Sequence, residues 1–451
     1  MSNSSGRMTL RTIFTALSFM AVSAYADLGA AQSSPAASSP TRWVITHARI
    51  FDGRELRPEK DLNVVIEDGR ITAVSANVVI AEGDKVIDAG GRTVLPGFID
   101  AHVHPSIPLG FTVLRDAEQN YVAHRSAAEA RAMLYRGFTT IRDMGGPSFG
   151  LKQAIDERLI EGPRIFPSGA MVSQTSGHGD FRGRNIAADA SGPRDVMEQR
   201  GYGVIADGEA AVLAAVREQL RNGATQIKVA AGGGLSSMFD PLDSVQYLDA
   251  ELRAAVRAAA DWGTYVAVHA YTPTAIRRSI EAGVRSIEHA HLIDEPTMKL
   301  IAERGVFLSP QAYVFGGAFP MTGKGAAIAT GLGQMMQLAK RYNVKIAFGT
   351  DVFGAPRVYG WQSREFAARL PWFSPLEILR QATSINGELL ALSGPRNPYP
   401  GGKLGVIEAG AWADLLIVEG NPLEDIRVLE DADKNLRVIV KDGRIVKNTL
   451  P

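Results

Sequence analysis

Two textures of hydrophobic and polar positions alternate along this chain. Residues 42–96 switch between apolar and polar over short runs. The runs 43–50, 62–66 and 70–74 read as strands, with Asp52-Gly53 and Asp68-Gly69 as turns. An Asp-Gly pair between alternating runs is a strong hairpin signal. From residue 97 the period lengthens. Helical stretches at 127–135, 208–222, 250–262, 273–281 and 295–304 are each followed by a glycine that stops them (Gly137, Gly223, Gly263, Gly283, Gly305). Between them lie short apolar runs: an opening strand from Phe98, then 139–143, 164–169, 226–230, 265–269, 285–289, 306–309 and 346–351. Repeated strand–helix units imply parallel strands, and eight of them predict a closed (β/α)8 TIM-like barrel over residues 97–398. After residue 398 the β texture returns at 415–418 and 436–440, with a turn at 441–444. The fold class is therefore α/β. Residues 42–96 and 399–451 are expected to form one small flanking β-sandwich built from both chain ends. Two long stretches, 171–206 and 311–330, read as insertions over the C-terminal face of the barrel, where such folds build their sites.

The N-terminus adds a targeting signal. Arg7 and Arg11 precede an uncharged apolar stretch at 12–22, and Ala24-Tyr25-Ala26 gives a small-x-small cleavage pattern. Residues 1–26 read as a cleavable signal peptide, with a second small-residue site at Ala30-Ala31, and 27–41 as a Ser/Ala/Pro-rich linker. The expectation is a periplasmic or secreted protein with no membrane attachment after processing. With 48 basic and 48 acidic residues the net charge is zero, so nothing favours nucleic acid or a membrane surface as partner. There is no cysteine, so any metal is held by nitrogen and oxygen ligands.

The candidate chemistry sits at the strand ends. His102 and His104 are two apart, which in a strand places both imidazoles on one side, as neighbouring ligands of one metal require. Lys228 lies in the fourth expected strand, and His269, His289 and Asp351 end the fifth, sixth and eighth. Four of the chain's eight histidines occupy these positions. An ammonium has no lone pair and cannot be a ligand. A lysine that has reacted with carbon dioxide carries a carbamate, an anionic oxygen donor able to bridge two cations.

These residues resemble the metal-dependent amidohydrolase superfamily in its binuclear, carbamylated-lysine branch. The motifs are Pro96-Gly97-Phe98-Ile99-Asp100-Ala101-His102-Val103-His104, Lys228, Val268-His269-Ala270, Glu288-His289-Ala290 and Gly349-Thr350-Asp351, with a matching tail at 405–415. Within it the chain looks closest to the imidazolonepropionase-like, Xaa-Pro dipeptidase-like group that includes ochratoxinase-type amidases. The resemblance implies two divalent metal ions, zinc by default. His102, His104 and Asp351 would hold one and His269 and His289 the other, with N-carboxylated Lys228 and a hydroxide bridging them. It implies cleavage of a peptide or N-acyl amide in a small-molecule or short-peptide substrate, by a dipeptidase- or carboxypeptidase-like enzyme, and assembly as a homo-oligomer. Asp351 would move the proton to the leaving amine. The alternative on the same centre is hydrolysis of a cyclic amide, lactone or phosphotriester. A non-catalytic scaffold predicts lost ligands, and all six are present.

Weaker expectations complete the reading. His178, in Gly177-His178-Gly179, is a candidate contact to the substrate carbonyl or carboxylate. Tyr271 is a candidate hydroxyl in the pocket, and Arg357 a candidate partner for a substrate carboxylate. His291 reads as a neighbour of the ligands rather than one of them, His47 as structural, and His124, placed before the first barrel helix, as without a role. Gly232-Gly233-Gly234 reads as a tight turn, because no GxxxxGK[ST] phosphate loop is present.

Overall fold

A computed structural model describes residues 42–58, 61–186, 194–316 and 321–451. The signal-peptide and linker expectations fall outside these residues. The strands in chain order are β1 (Trp43–Ile50), β2 (Leu62–Glu67), β3 (Arg70–Ser75), β4 (Lys85–Asp88), β5 (Thr93–Pro96), β6 (Phe98–Val103), β7 (Phe138–Asp143), β8 (Arg164–Phe166), β9 (Met171–Ser173), β10 (Gly203–Ile205), β11 (Ile227–Ala230), β12 (Val266–Ala270), β13 (Ser286–His289), β14 (Phe307–Ser309), β15 (Leu415–Val418), β16 (Leu436–Lys441) and β17 (Arg444–Asn448).

Both chain ends share one sheet, in the order β17-β16-β15-β5-β1-β2-β3, with β4 beside β1. The join is the antiparallel pair of β15 and β5, which sets Leu416 opposite Leu95. Ile45, Val64, Ile71, Val94, Ile417 and Val438 fill its core.

Between these ends, strands alternate with helices in a mixed α/β arrangement. The strands form two parallel sheets, one of six in the order β10-β9-β11-β12-β13-β14 and one of three in the order β6-β7-β8. The central strands are buried along their length, as parallel strands covered on both faces must be. The expected eighth strand, 346–351, is not a regular strand. It carries isolated parallel bridges, Ile346 to Leu308 of β14 and Val352 to Val103 of β6. It also exchanges backbone hydrogen bonds with both: Ala347 N–H to Leu308 O at 2.8 Å, and Ala101 N–H to Phe348 O at 2.8 Å. Asp351 breaks the ladder by adopting a left-handed φ of 54°. The expected third strand, 164–169, is likewise cut to 164–166. Pro167 has no N–H to give, and Gly169 turns with φ 71° before β9 resumes at Met171. The stretch read as an insertion from 171 therefore begins with a strand.

The helices confirm their stop signals. The helix Pro273–Ala282 opens with proline in its first turn and ends on Gly283 at φ 105°. Two helical expectations are corrected. The helix Gly323–Arg341 begins inside the second expected insertion, where no helix was expected. Its glycines hide it from propensity, and the buried stripe Ile328, Leu332, Met335, Met336 and Ala339 makes it. One glycine is required by packing, because a Cβ on Gly331 would stand 1.8 Å from the His291 carbonyl oxygen. The helix expected from 127 instead spans Gln119–Tyr135. The Glu118 carboxylate caps the N–H groups of Asn120 and Tyr121, and His124 lies inside the helix on its exposed face. Among the described residues no helix is long and apolar enough to cross a membrane.

Candidate metal centre

Alternation along β6 sets Asp100, His102 and His104 on one side. Asp100 ties this strand to segment 346–352. It accepts from Thr350 N (3.1 Å), Thr350 Oγ1 (2.6 Å) and Gln362 Nε2 (2.9 Å). That clamp brings Asp351 to the two histidines, with its Oδ1 3.4 Å from His102 Nε2 and 3.1 Å from His104 Nε2. Next along the six-stranded sheet, the parallel registers pair Lys228 with Ala267, His269 with Glu288 and His289 with Ala270. The ring of His289 lies 5.1 Å from that of His102 and 4.4 Å from that of His269. His102, His289 and Asp351 offer ligand atoms all within 4.8 Å of one another. All six expected ligands line one cavity of about 330 Å³.

Each imidazole is fixed by its other nitrogen. His102 Nδ1 donates to Glu288 Oε2 (2.8 Å), His104 Nδ1 to Gly145 O (3.0 Å) and His289 Nδ1 to Gln311 Oε1 (2.7 Å). Their Nε2 atoms face the cluster, those of His102 and His104 toward Asp351 Oδ1 at 3.4 and 3.1 Å. His269 is reversed: its Nε2 donates to Gly233 O (3.2 Å), which leaves Nδ1. Such anchoring sets tautomer and ring orientation in metal sites. Burial holds His102 at about 4 and keeps His269 and His289 well below the usual imidazole range. These rings are neutral donors at pH 7. Burial favours a protonated Asp351, but His102 and His104 outweigh it and hold the carboxyl well below its ordinary range. Burial also brings Lys228 down to about 8, with Arg142 adding to the effect. Lys228 makes no hydrogen bond or ion pair among the described residues, although it is only 2% exposed. The donor set of imidazole nitrogens and a carboxylate fits a divalent transition metal.

The backbone is strained where it delivers ligands. His289, Ala290 and Asp351 take φ values of 80°, 57° and 54°, a region that costs such residues about 1–3 kcal/mol each. The strain turns His289 toward His102 although Glu288 precedes it in the strand.

Glu288 and Arg142 were not assigned roles from sequence. Glu288 receives Arg142 Nη2 at 2.8 Å and Ser286 Oγ at 2.6 Å on one oxygen, and His102 on the other. Arg142 also donates to Tyr265 OH at 3.1 Å and to the Ala101 carbonyl. Both side chains are wholly buried. Glu288 was visible beside His289 in its motif. Arg142 carried no signal, because a charged residue one position before a strand end is read as exposed.

The weaker candidates divide. His178 lines the cavity, its ring stacked on His269 at 3.9 Å and its Nδ1 2.7 Å from Ser237 Oγ, with Asp240 Oδ2 at 3.5 Å. Gly234 makes room for it, since a Cβ there would stand 2.0 Å from the ring. Tyr271 also lines the cavity, stacked on His289 at 5.0 Å. His291 is buried behind these rings, 5.7 Å from Tyr271, and donates from Nε2 to Gln311 O. Arg357 does not reach the site: it is exposed and outside the cavity lining. His47 is exposed and pairs with Asp88 at 2.9 Å.

The amidohydrolase family pattern matches residues 93–446, most of the chain. The chain belongs to the amidohydrolase family. It is 30% identical to an ochratoxinase of Aspergillus niger over 91% of this chain and 88% of that protein. A crystal structure of the A. niger ochratoxinase superposes with a TM-score of 0.79, at 28% identity over 91% of this chain and 96% of that one. A prolidase complexed with N-methylphosphonate-L-proline superposes with a TM-score of 0.83, at 37% identity over 90% of this chain and all of that one. A Xaa-Pro dipeptidase superposes at 0.78, with 30% identity over 90% of this chain and all of that one. As a member of this metal-dependent family, the protein is a hydrolase that acts on amide bonds.

Proposed function

We propose that this amidohydrolase is a binuclear metal enzyme that cleaves a peptide or N-acyl amide in a small substrate. On this reading the two parallel sheets and segment 346–352 close into one eight-membered barrel. His102, His104 and Asp351 hold one divalent cation, and His269 and His289 hold the second. Lys228, once carboxylated by carbon dioxide, would supply an anionic oxygen donor to both. The observation that carries the reading is Lys228 itself: a buried amine without an acceptor, among imidazoles held neutral by burial. Carboxylation converts that misfit into an anionic donor.

Two such cations supply polarisation of the amide carbonyl and a lowered pKa for water. The protein's own residues do the rest. Asp351 stays ionised, so its carboxylate can take a proton from the attacking water and return it to the leaving nitrogen. Tyr271 and His178 face the cavity from two sides of His269 and can donate to the developing oxyanion. Export of the mature protein, directed by residues 1–26, completes the proposal.

The test is metal analysis joined to amine release from Xaa-Pro, Xaa-Lys and Xaa-Arg dipeptides and N-acyl-phenylalanine, with a lactone and a phosphotriester as controls. Cleavage of the amides at two metals per chain is expected. Turnover of only the lactone or phosphotriester would overturn the amide reading. A Lys228→Ala protein that keeps both metals and full activity would remove the bridge.

A further inference from the structure

His178 is held over His269 by residues to which the reaction gives no part. Its Nδ1 bonds to Ser237 Oγ at 2.7 Å, and its backbone N–H donates to Gln246 Oε1 at 2.9 Å. Both holds lead to Asp240. The same ring nitrogen lies 3.5 Å from Asp240 Oδ2, and so does Gln246 Nε2. Asp240 Oδ2 also accepts from the Gly234 N–H at 2.8 Å, whereas its Oδ1 has no hydrogen bond among the described residues. The Asp240 side chain is 1% exposed. A buried carboxylate oxygen without a donor is costly and calls for a counter-charge.

That counter-charge is Lys324. Its Nζ lies 3.6 Å from Asp240 Oδ1 and donates to the carbonyls of Gly234 (2.9 Å), Ser237 (3.0 Å) and Asp240 (2.5 Å). An ammonium has three N–H donors, and all three are used. Carbonyl dipoles aimed at one point repel one another unless a cation stands there. Residues 234–240 thus close around Lys324 as around a bound ion. The helix Gly323–Arg341 gives no reason for the charge, because Lys324 sits in its first turn, where a cation opposes the helix dipole. Leu235 and Ser236, between the bonded carbonyls, line the cavity.

We propose that Lys324 is a positioning residue, a tethered cation that folds residues 234–240 and, through Ser237 and Asp240, sets the His178 ring for amide cleavage. The proposal rests on the amide-hydrolase reading above, in which His178 donates to the developing oxyanion. With Nδ1 taken by Ser237, Nε2 is the nitrogen left for the substrate. Without the cation the three carbonyls and the carboxylate separate, Ser237 moves with them, and the ring loses its fixed partner. Misplacing such a group by about 1 Å costs up to about 100-fold in rate.

The experiment uses Lys324→Ala and Lys324→Met in the zinc-loaded full chain, with the amide that the unsubstituted protein cleaves fastest. Lys324→Ala is expected to lower kcat about 10–100-fold, with KM within about threefold and zinc content unchanged. Ammonium or methylammonium chloride is expected to raise that kcat about fivefold or more, because either ion can refill the carbonyl cage, whereas tetramethylammonium has no N–H and restores nothing. Lys324→Met loses the same rate and is not rescued, since its side chain fills the space. Unchanged kcat in Lys324→Ala, or a loss that ammonium does not restore, overturns the proposal. His178→Ala is measured beside them. Full turnover in that variant removes His178 from the reaction, and the proposal with it, and leaves the amide reading standing. If the unsubstituted protein cleaves no amide, that reading fails, and crystal structures of Lys324→Ala decide: a His178 ring displaced from His269 and returned by ammonium upholds the tether, and a ring still stacked at 3.9 Å without it removes the tether.

Discussion

Replacing Glu288 by glutamine tests the buried link that sets His102. The substitution keeps shape and removes one charge. Arg142 and Glu288 are both fully buried and 2.8 Å apart. Arg142 would then keep only Tyr265, Ser286 and the Ala101 carbonyl as neutral partners. Breaking a buried pair by removing one partner costs about 3–5 kcal/mol. Glutamine still accepts one hydrogen bond, so about 3 kcal/mol is expected, roughly 3–4 °C in Tm for a chain of this size. His102 loses the carboxylate that fixes its Nδ1–H, and loss of such a partner lowers metal affinity about 10–100-fold. Zinc titration with a chromophoric chelator and urea unfolding of the metal-free protein read the two effects separately. Unchanged zinc affinity with lowered stability would make Glu288 a counter-ion of Arg142 and nothing more. No change in either would refute the reasoning.

Asp351→Asn is expected to lower kcat by about 100-fold or more even where metal is retained, because an amide cannot carry the proton; near-normal turnover with metal in place would remove the shuttle. In metal-free protein, burial lowers His102 and His291 to about 4 and His269 and His289 well below their usual value. The unfolded chain then binds more protons at these four sites, so they make stability rise with pH from about 4 to 6.5. Asp100 and Asp143, raised by burial to about 6, act oppositely between about 4 and 6, as do Glu129 and Glu365, also raised by burial, from about 4.5 upward; His104, whose pKa is raised by Asp351, acts in that sense only above about 6.5. The four histidines keep acting up to about 6.5, beyond the point near 6 where Asp100 and Asp143 stop, and a urea midpoint lower at pH 7 than at pH 5 would contradict this balance. Gly331→Ala should destabilise despite the better helix propensity of alanine, by about 1–3 kcal/mol, because its Cβ would meet a backbone oxygen at 1.8 Å; a stabilised variant would show that the His291 segment yields.

Much of the site was legible before any fold was known. Asp100, His102 and His104 share a face because strand side chains repeat every two residues, and that periodicity is local. His269 and His289 each close an apolar run that alternates with helical segments and Lys228 lies within another, so a parallel arrangement brings them together. Glycine stop signals and the Asp68-Gly69 hairpin are likewise local, since backbone conformation at those positions is set within a few residues. The helix Gly323–Arg341 was hidden because its glycines oppose helix formation and only burial of its apolar stripe overrides them. The clamp of Asp100 on Thr350, the Arg142–Glu288–His102 link, the left-handed turns at His289 and Asp351 and the closing of residues 234–240 around Lys324 were decided by tertiary structure alone. Each joins residues far apart in the chain, or strains a residue because distant packing holds it there. The sequence thus determined which side chains could do the chemistry, through periodicities that act over a few residues. Tertiary structure determined how they are held and what can reach them, because burial and hydrogen-bond partners exist only once remote segments touch.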